Sequence, residues 1–238
     1  VPAGGQTIAV SPPPAKLPIA VKGDGTQVVI ADRHLVAPQA PVKNYTNNSY
    51  TNYITYRKPL TNTYNKIITD KKLTVSFMGG SVTIGTGGTS GWAQRSESWF
   101  RSTFPNATFT FRNVGSGESG TYLATYRVVQ DVISQNPDLF VIEYAINDTY
   151  KLSDGYNKDT GVVDKEKAAA AQKQAAAQYE TIIREVKAAL PNCDIVTVLT
   201  TDQNVHQRAE AGKYDTTLYP TAAGHAAMAE KYNISVVN

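Results

Sequence analysis

From Leu73 onward, apolar runs of strand length alternate with stretches in which apolar residues recur every three or four positions. Leu73–Met78 reads as a strand, as does Thr108–Val114, where Phe109 and Phe111 alternate with polar neighbours. Leu139–Ala145 is almost continuously apolar, as expected of a strand buried on both faces. Ile195–Leu199 and Ile234–Val237 supply two further strands. The intervening segments Trp92–Phe104, Leu123–Ser134, Lys165–Leu190 and His225–Tyr232 carry helical spacing, with Trp92, Ser96, Trp99, Phe100 and Thr103 on one side of the first. Asp164 is placed to cap the long Ala-rich helix, and Pro191 follows its end. Strands and helices in this alternation predict an α/β fold of three layers, α/β/α, around a parallel sheet.

The first 63 residues are patterned differently. Pro12, Pro13, Pro14, Pro18, Pro38 and Pro41 interrupt short β-type runs such as Gln27-Val28-Val29-Ile30. They read as an extended Pro-rich arm or a small β element, followed by an Asn-, Thr- and Tyr-rich linker. The division expected is an arm, linker or β module over 1–63 and a catalytic-type domain over 64–238, with Tyr64–Ile68 as a short amphipathic lead-in. The arm is a candidate surface for a larger assembly.

Composition narrows the function classes. Lys and Arg number 23 against 20 Asp and Glu, a formal charge of +3 that argues against a nucleic-acid partner. No apolar run approaches the roughly 20 residues of a membrane span. The single Cys193 leaves no internal disulfide, and no Cys/His cluster has zinc-site spacing. Few cysteines with 14 tyrosines and many Thr and Asn suit a secreted or surface-associated protein, bacterial or virion-associated. The chain opens on Val1 without a signal-type segment, as in a processed product or a fragment.

The candidate chemistry lies where three strands end. Leu73-Thr74-Val75-Ser76-Phe77-Met78 runs into Gly79-Gly80-Ser81-Val82-Thr83; the second strand runs into Asn113-Val114-Gly115-Ser116-Gly117-Glu118-Ser119-Gly120; the third runs into Ala145-Ile146-Asn147-Asp148. In a parallel sheet these loops emerge at one edge, where ligands bind. A hydroxyl, glycine-permitted backbone N–H groups and a carboxamide can converge there, which suits acyl transfer. A phosphate-loop reading of Gly79–Gly91 fails because no Gly-Lys-(Ser/Thr) ends it.

In order, these three segments resemble the conserved blocks of the SGNH/GDSL hydrolase superfamily, and most of all its bacterial carbohydrate-esterase-like members with Gly-Gly-Ser-(Ile/Val)-Thr and Glu-(Phe/Tyr)-Ala-(Ile/Val)-Asn-Asp. Tyr126-Arg127, Asp131 and Asn136-Pro137-Asp138 add to the likeness, which covers roughly residues 64–238. The resemblance implies a flavodoxin-like, SGNH-type sheet with Ser81 as nucleophile. The oxyanion would be held by the Ser81 N–H, a backbone donor at Gly117 or Glu118, and the Asn147 amide. Glu118 stands where the family's donor glycine is expected. Gly80, Asn113, Gly115 and Asp148 would line the substrate site, although Asn113 and Asn147 could simply cap or tie loops, and bracing its own loop is the preferred reading of Asp148. Arg127 and Asp131, four apart, read as a structural pair. No metal or organic cofactor is required. The implied activity is removal of short acyl groups, O-acetyl first, from carbohydrate or related esters. The alternative is a non-catalytic binding or assembly protein that keeps the hydrolase sheet.

The family's Asp-x-x-His block is absent from all 238 residues. Either Leu218–His225 is a decayed version of it, leaving His225 as a displaced base, or His225–Val237 is the helix–strand unit that comes before it. The second reading is preferred, with the catalytic Asp and His expected beyond Asn238. His34 and His206 read as surface residues.

Overall fold

The computed structural model describes residues 19–21, 27–29, 54–85, 91–151, 164–199 and 220–237. In chain order its elements are β1 (Ile19–Val21), β2 (Gln27–Val29), β3 (Ile54–Thr55), α1 (Thr61–Ile68), β4 (Lys72–Gly79) and α2 (Ser81–Ile84). Next come α3 (Trp92–Thr103), β5 (Thr108–Asn113), α4 (Thr121–Asp131), a 3-10 turn (Ile133–Gln135), β6 (Leu139–Glu143) and α5 (Ala145–Lys151). The chain closes with α6 (Lys165–Ala189), β7 (Asp194–Val198), α7 (Pro220–Lys231) and β8 (Ser235–Val237). β1 and β2 pair antiparallel, Ile19 opposite Val29, forming a small β element in the Pro-rich region.

The main sheet has the order β3-β8-β7-β6-β4-β5. All its pairings are parallel except that of β3 with β8, in which Ile54 faces Val237. Arg57 continues that edge, its N–H donating to Ser235 Oγ at 3.1 Å and its guanidinium to the Ile234 carbonyl. The arrangement is the three-layer α/β/α fold expected from the alternation of strands and helices. Period-two alternation along the central strands divides their side chains between two cores. Leu73, Val75, Phe77, Leu139 and Val141 pack with Ile67 of α1 and Ala93 of α3. Met78, Phe140 and Ile142 pack on the other face with Ala124 and Val128 of α4, Tyr179, Ile182 and Ile183 of α6, and Ala229 of α7. Asp164 caps α6 as expected, accepting from the Glu166 and Lys167 N–H groups at 3.1 Å each.

Three details differ from the sequence reading. Trp99 is 46% exposed, because Ala93 rather than Trp99 is the buried member of α3. Helix α4 begins at Thr121, two residues early. Strand β6 stops at Glu143, and Ala145 opens a helix, so Asn147 and Asp148 lie on a first helical turn. Among the described residues no helix is long and apolar enough to cross a membrane.

Candidate active site

Chain order and sheet order together create a crevice. From β4 the chain goes first to β5 on one side and then returns to β6 on the other, so loops leave the C-terminal ends of β4 and β6 in opposite senses. Ligands of open α/β sheets bind at such a switch point. The register sets Gly79 at the end of β4 opposite Glu143 at the end of β6. Ser81 and Asn147 follow these two partners.

Ser81 begins α2 immediately after the strand, with Gly80 in an extended conformation as its N-cap. The turn is short: Thr83 and Ile84 donate back to the Gly80 carbonyl at 3.1 and 3.2 Å, and Gly85, at φ +87°, closes it onto the Ser81 carbonyl. Ser81 is half-buried while the next residue, Val82, is exposed. Neither glycine before the serine could carry a side chain. A Cβ at Gly79 would collide with the Thr83 hydroxyl and the Glu143 carbonyl. A Cβ at Gly80 would lie 2.6 Å from both the Oδ1 and the Nδ2 of Asn147. The Asn147 carboxamide therefore rests on the backbone of the residue that precedes Ser81. The structure brings these two expected site residues together.

The β5 loop is fastened to the same corner. Asn113 Nδ2 donates to the Thr83 carbonyl at 2.8 Å, and Asn113 Oδ1 accepts from the Gly115 N–H at 3.1 Å. The Ser116 N–H donates to the Gly79 carbonyl at 2.9 Å, continuing the β4–β5 ladder into the loop. Asn113 thus ties a loop, the simpler of its two readings. Beyond Ser116 the loop turns back on itself, Ser119 donating to the Ser116 carbonyl through N–H and hydroxyl. Gly117 faces open space where its Cβ would be. Glu118 has φ +56°, the left-handed conformation that glycine adopts freely. The backbone at this position is glycine-like although the residue is not, so a glutamate here keeps the path of the chain.

Asp148 occupies a different place from that expected of a substrate-lining residue. It is fully buried. Its Oδ1 accepts from the Thr121 N–H at 2.7 Å, while its Oδ2 takes the Thr121 hydroxyl and His225 Nε2 at 2.8 Å each. These bonds fasten the start of α4 and the middle of α7 to α5, which supports the bracing alternative. Asn147 and Asp148 are neighbours on a helical turn, so their side chains leave in different directions and only one can face the crevice.

His225, the candidate displaced base, belongs to this clasp. It is fully buried, stacks on the Tyr179 ring at 4.3 Å, and has an Nδ1 without a hydrogen-bond partner among the described residues. Tyr179 in turn meets Thr197 Oγ1 at 2.6 Å, and its burial pushes the phenol pKa up. Thr121 and Tyr179 were not singled out from sequence, since nothing local marks residues whose partners, Asp148 and Thr197, lie 27 and 18 positions away. Arg127 and Asp131 form the expected pair at 2.6 Å, with Arg127 also donating to the Val114 carbonyl beneath the β5 loop. Neither His34 nor His206 falls within the described residues. Those residues contain no group of three or more His, Cys, Asp or Glu able to hold a metal ion.

Residues 77–238 match the GDSL-like lipase/acylhydrolase family. Among solved structures, a two-domain esterase (CEX) active on acetylated mannans aligns at 22% identity with a TM-score of 0.54. The match covers 79% of this chain and 43% of that one, so this chain spans less than half the length of that esterase. A variant of the acetyl xylan esterase Axe2 from Geobacillus stearothermophilus aligns at 19% identity and TM-score 0.51, over 70% of this chain and 76% of that one. A GDSL-like lipase from Parabacteroides merdae gives 16% and 0.54 over 68% and 75%. At these identities the likeness is one of fold. No curated protein matches the sequence.

Proposed function

We propose an ester hydrolase with Ser81 as its nucleophile: the chain belongs to the GDSL-like lipase/acylhydrolase family, and its Ser81 lies at the switch point of the sheet. The observation that carries this reading is the contact of the Asn147 carboxamide with Gly80, one residue from the serine. A donor held there can meet the oxygen that becomes negative when the Ser81 Oγ adds to an ester carbonyl. The Ser81 N–H and a β5-loop N–H at Gly117 or Glu118 complete the set.

The reaction has two steps. A base takes the Ser81 proton as Oγ bonds to the acyl carbon; the C–O bond of the ester then breaks, and the alcohol leaves with a proton. Water hydrolyses the acyl-serine and restores the hydroxyl. His225 is engaged by Asp148 in the interior, so the base is drawn from outside the described residues. The substrate class is a short acyl ester of carbohydrate, O-acetyl first. This is supported by fold neighbours described as acting on acetylated mannans or as acetyl xylan esterases.

Acetate release and p-nitrophenyl acetate turnover by the full-length protein test the proposal. Ser81→Ala is expected to lose at least about a thousandfold in kcat. Equal rates in the two proteins would end it. A non-catalytic role, which the engagement of His225 would favour, predicts no fluorophosphonate labelling of Ser81.

A further inference from the structure

We propose that the outward face of α4 is a platform for a neutral polysaccharide chain, leading away from the Ser81 crevice. It rests on, and deepens, the carbohydrate-ester reading of that crevice. Tyr122, Tyr126 and Val129 are 37%, 84% and 57% exposed. Their spacing of four and three residues puts them in one stripe along the helix. Among the described residues none covers the Tyr126 ring.

Among its described residues α4 also carries no unpaired charge on this face. An exposed helix face ordinarily carries charged residues. Here Arg127 and Asp131 are about three-quarters buried and paired with each other. The residues left on the outside are the two tyrosines, Val129, Gln130 and the half-buried Thr125. Aromatic faces with amide and hydroxyl groups around them suit the C–H face and hydroxyl rim of an uncharged sugar. A nucleic acid or an anionic membrane would call for lysine and arginine instead.

Position connects the stripe to the crevice. Helix α4 starts directly after the loop that carries Gly117 and Glu118. The Tyr122 ring lies 3.3–3.4 Å from where a Gly120 Cβ would be, at the end of the loop that carries Gly117 and Glu118. The helical rise then sets Tyr126 about 6 Å further along the axis, on the scale of one sugar ring. A polymer whose esterified unit sits at Ser81 would find the first platform at the rim and the second one step outward.

Gel retardation of the full-length protein by acetylated xylan and by acetylated glucomannan tests this, with Ser81→Ala included so that binding is read without turnover. Ser81→Ala should be retarded as wild type. Tyr126→Ala should bind at least tenfold more weakly, and Tyr122→Ala/Tyr126→Ala more weakly still, with unchanged urea midpoints. Tyr126→Phe should restore binding, and Tyr56→Ala, at an exposed tyrosine elsewhere, should not disturb it. Wild type passing through both polymers unretarded would overturn the proposal. So would undiminished binding by Tyr126→Ala, or a self-associating protein that Tyr126→Ala renders monomeric. Retardation without acetate release would break only the esterase reading; acetate release without retardation would break only the platform.

Discussion

The two edges of the sheet make an instructive pair, because each is stitched with buried or half-buried aspartates and only one reads as a site. At the edge where strands begin, Asp194 accepts from the Thr63 N–H and hydroxyl at 2.8 and 2.9 Å, fastening α1 to β7. Asp138 accepts from the Thr74 N–H at 2.8 Å and lies 3.8 Å from Lys66. A cleft of about 240 Å³ opens beside them, lined by Asn62, Lys66, Asn136, Asp138, Asn192 and Cys193 among others. Its one thiol is no nucleophile, since burial pushes the Cys193 pKa up to about 12. At the edge where strands end, Asp148 makes a comparable set of bonds in a fully buried setting. A bonded carboxylate therefore marks neither edge as a site. What distinguishes the edge where strands end is a serine and a carboxamide held against side-chain-free backbone at Gly80.

The largest effect that would sharpen this contrast is expected at the clasp. Asp148→Ala strands the Thr121 N–H and His225 Nε2 in the interior, while the Thr121 hydroxyl keeps Gln178 Oε1 at 2.8 Å. Each buried donor left unpaired costs about 1–3 kcal/mol. Loss of at least about 2 kcal/mol is expected in urea unfolding, and activity should fall with it because α5 carries Asn147. A loss below about 1 kcal/mol would mean that the clasp does not hold the helix.

Asp194→Asn should do much less, and its effect should depend on pH. Burial holds the Asp194 pKa above its ordinary value, with the Thr63 hydrogen bonds acting against the shift. The folded protein thus favours the protonated acid. Its contribution to stability is complete below the unfolded carboxylate pKa of about 3.9 and declines as pH rises through the raised value. Asn keeps an oxygen for the Thr63 N–H but cannot ionise. Wild type should accordingly lose stability relative to Asp194→Asn between pH 4 and 7, measured as the difference between their thermal midpoints. A difference that stays flat or moves the other way would refute the assignment.

Legibility in the sequence followed the range of the interaction. The Gly79-Gly80-Ser81 turn and its strand were visible because an apolar run ends in residues that permit close approach. The alternation of β and α segments was enough for the layers. The end of β6 was not visible, because Tyr144, Ala145 and Ile146 prolong the apolar run into a helix. The pairing of β3 with β8 rests on two residues and has no pattern of its own. The role of His225 was out of reach, since its meaning comes from Asp148, Tyr179 and a helix crossing rather than from its neighbours. Glu118 stood out as a departure from the family pattern, and only its φ of +56° shows that the glycine-like backbone persists.

The central claim is that the Asn147 carboxamide serves the oxygen formed at Ser81. Its most direct test is kcat for p-nitrophenyl acetate in Asn147→Ala, with fluorophosphonate labelling of Ser81 as the check on the nucleophile. The expected result is a fall of about a hundred- to a thousandfold in kcat, little change in KM, and Ser81 still labelled. Unaltered kcat in Asn147→Ala would contradict it.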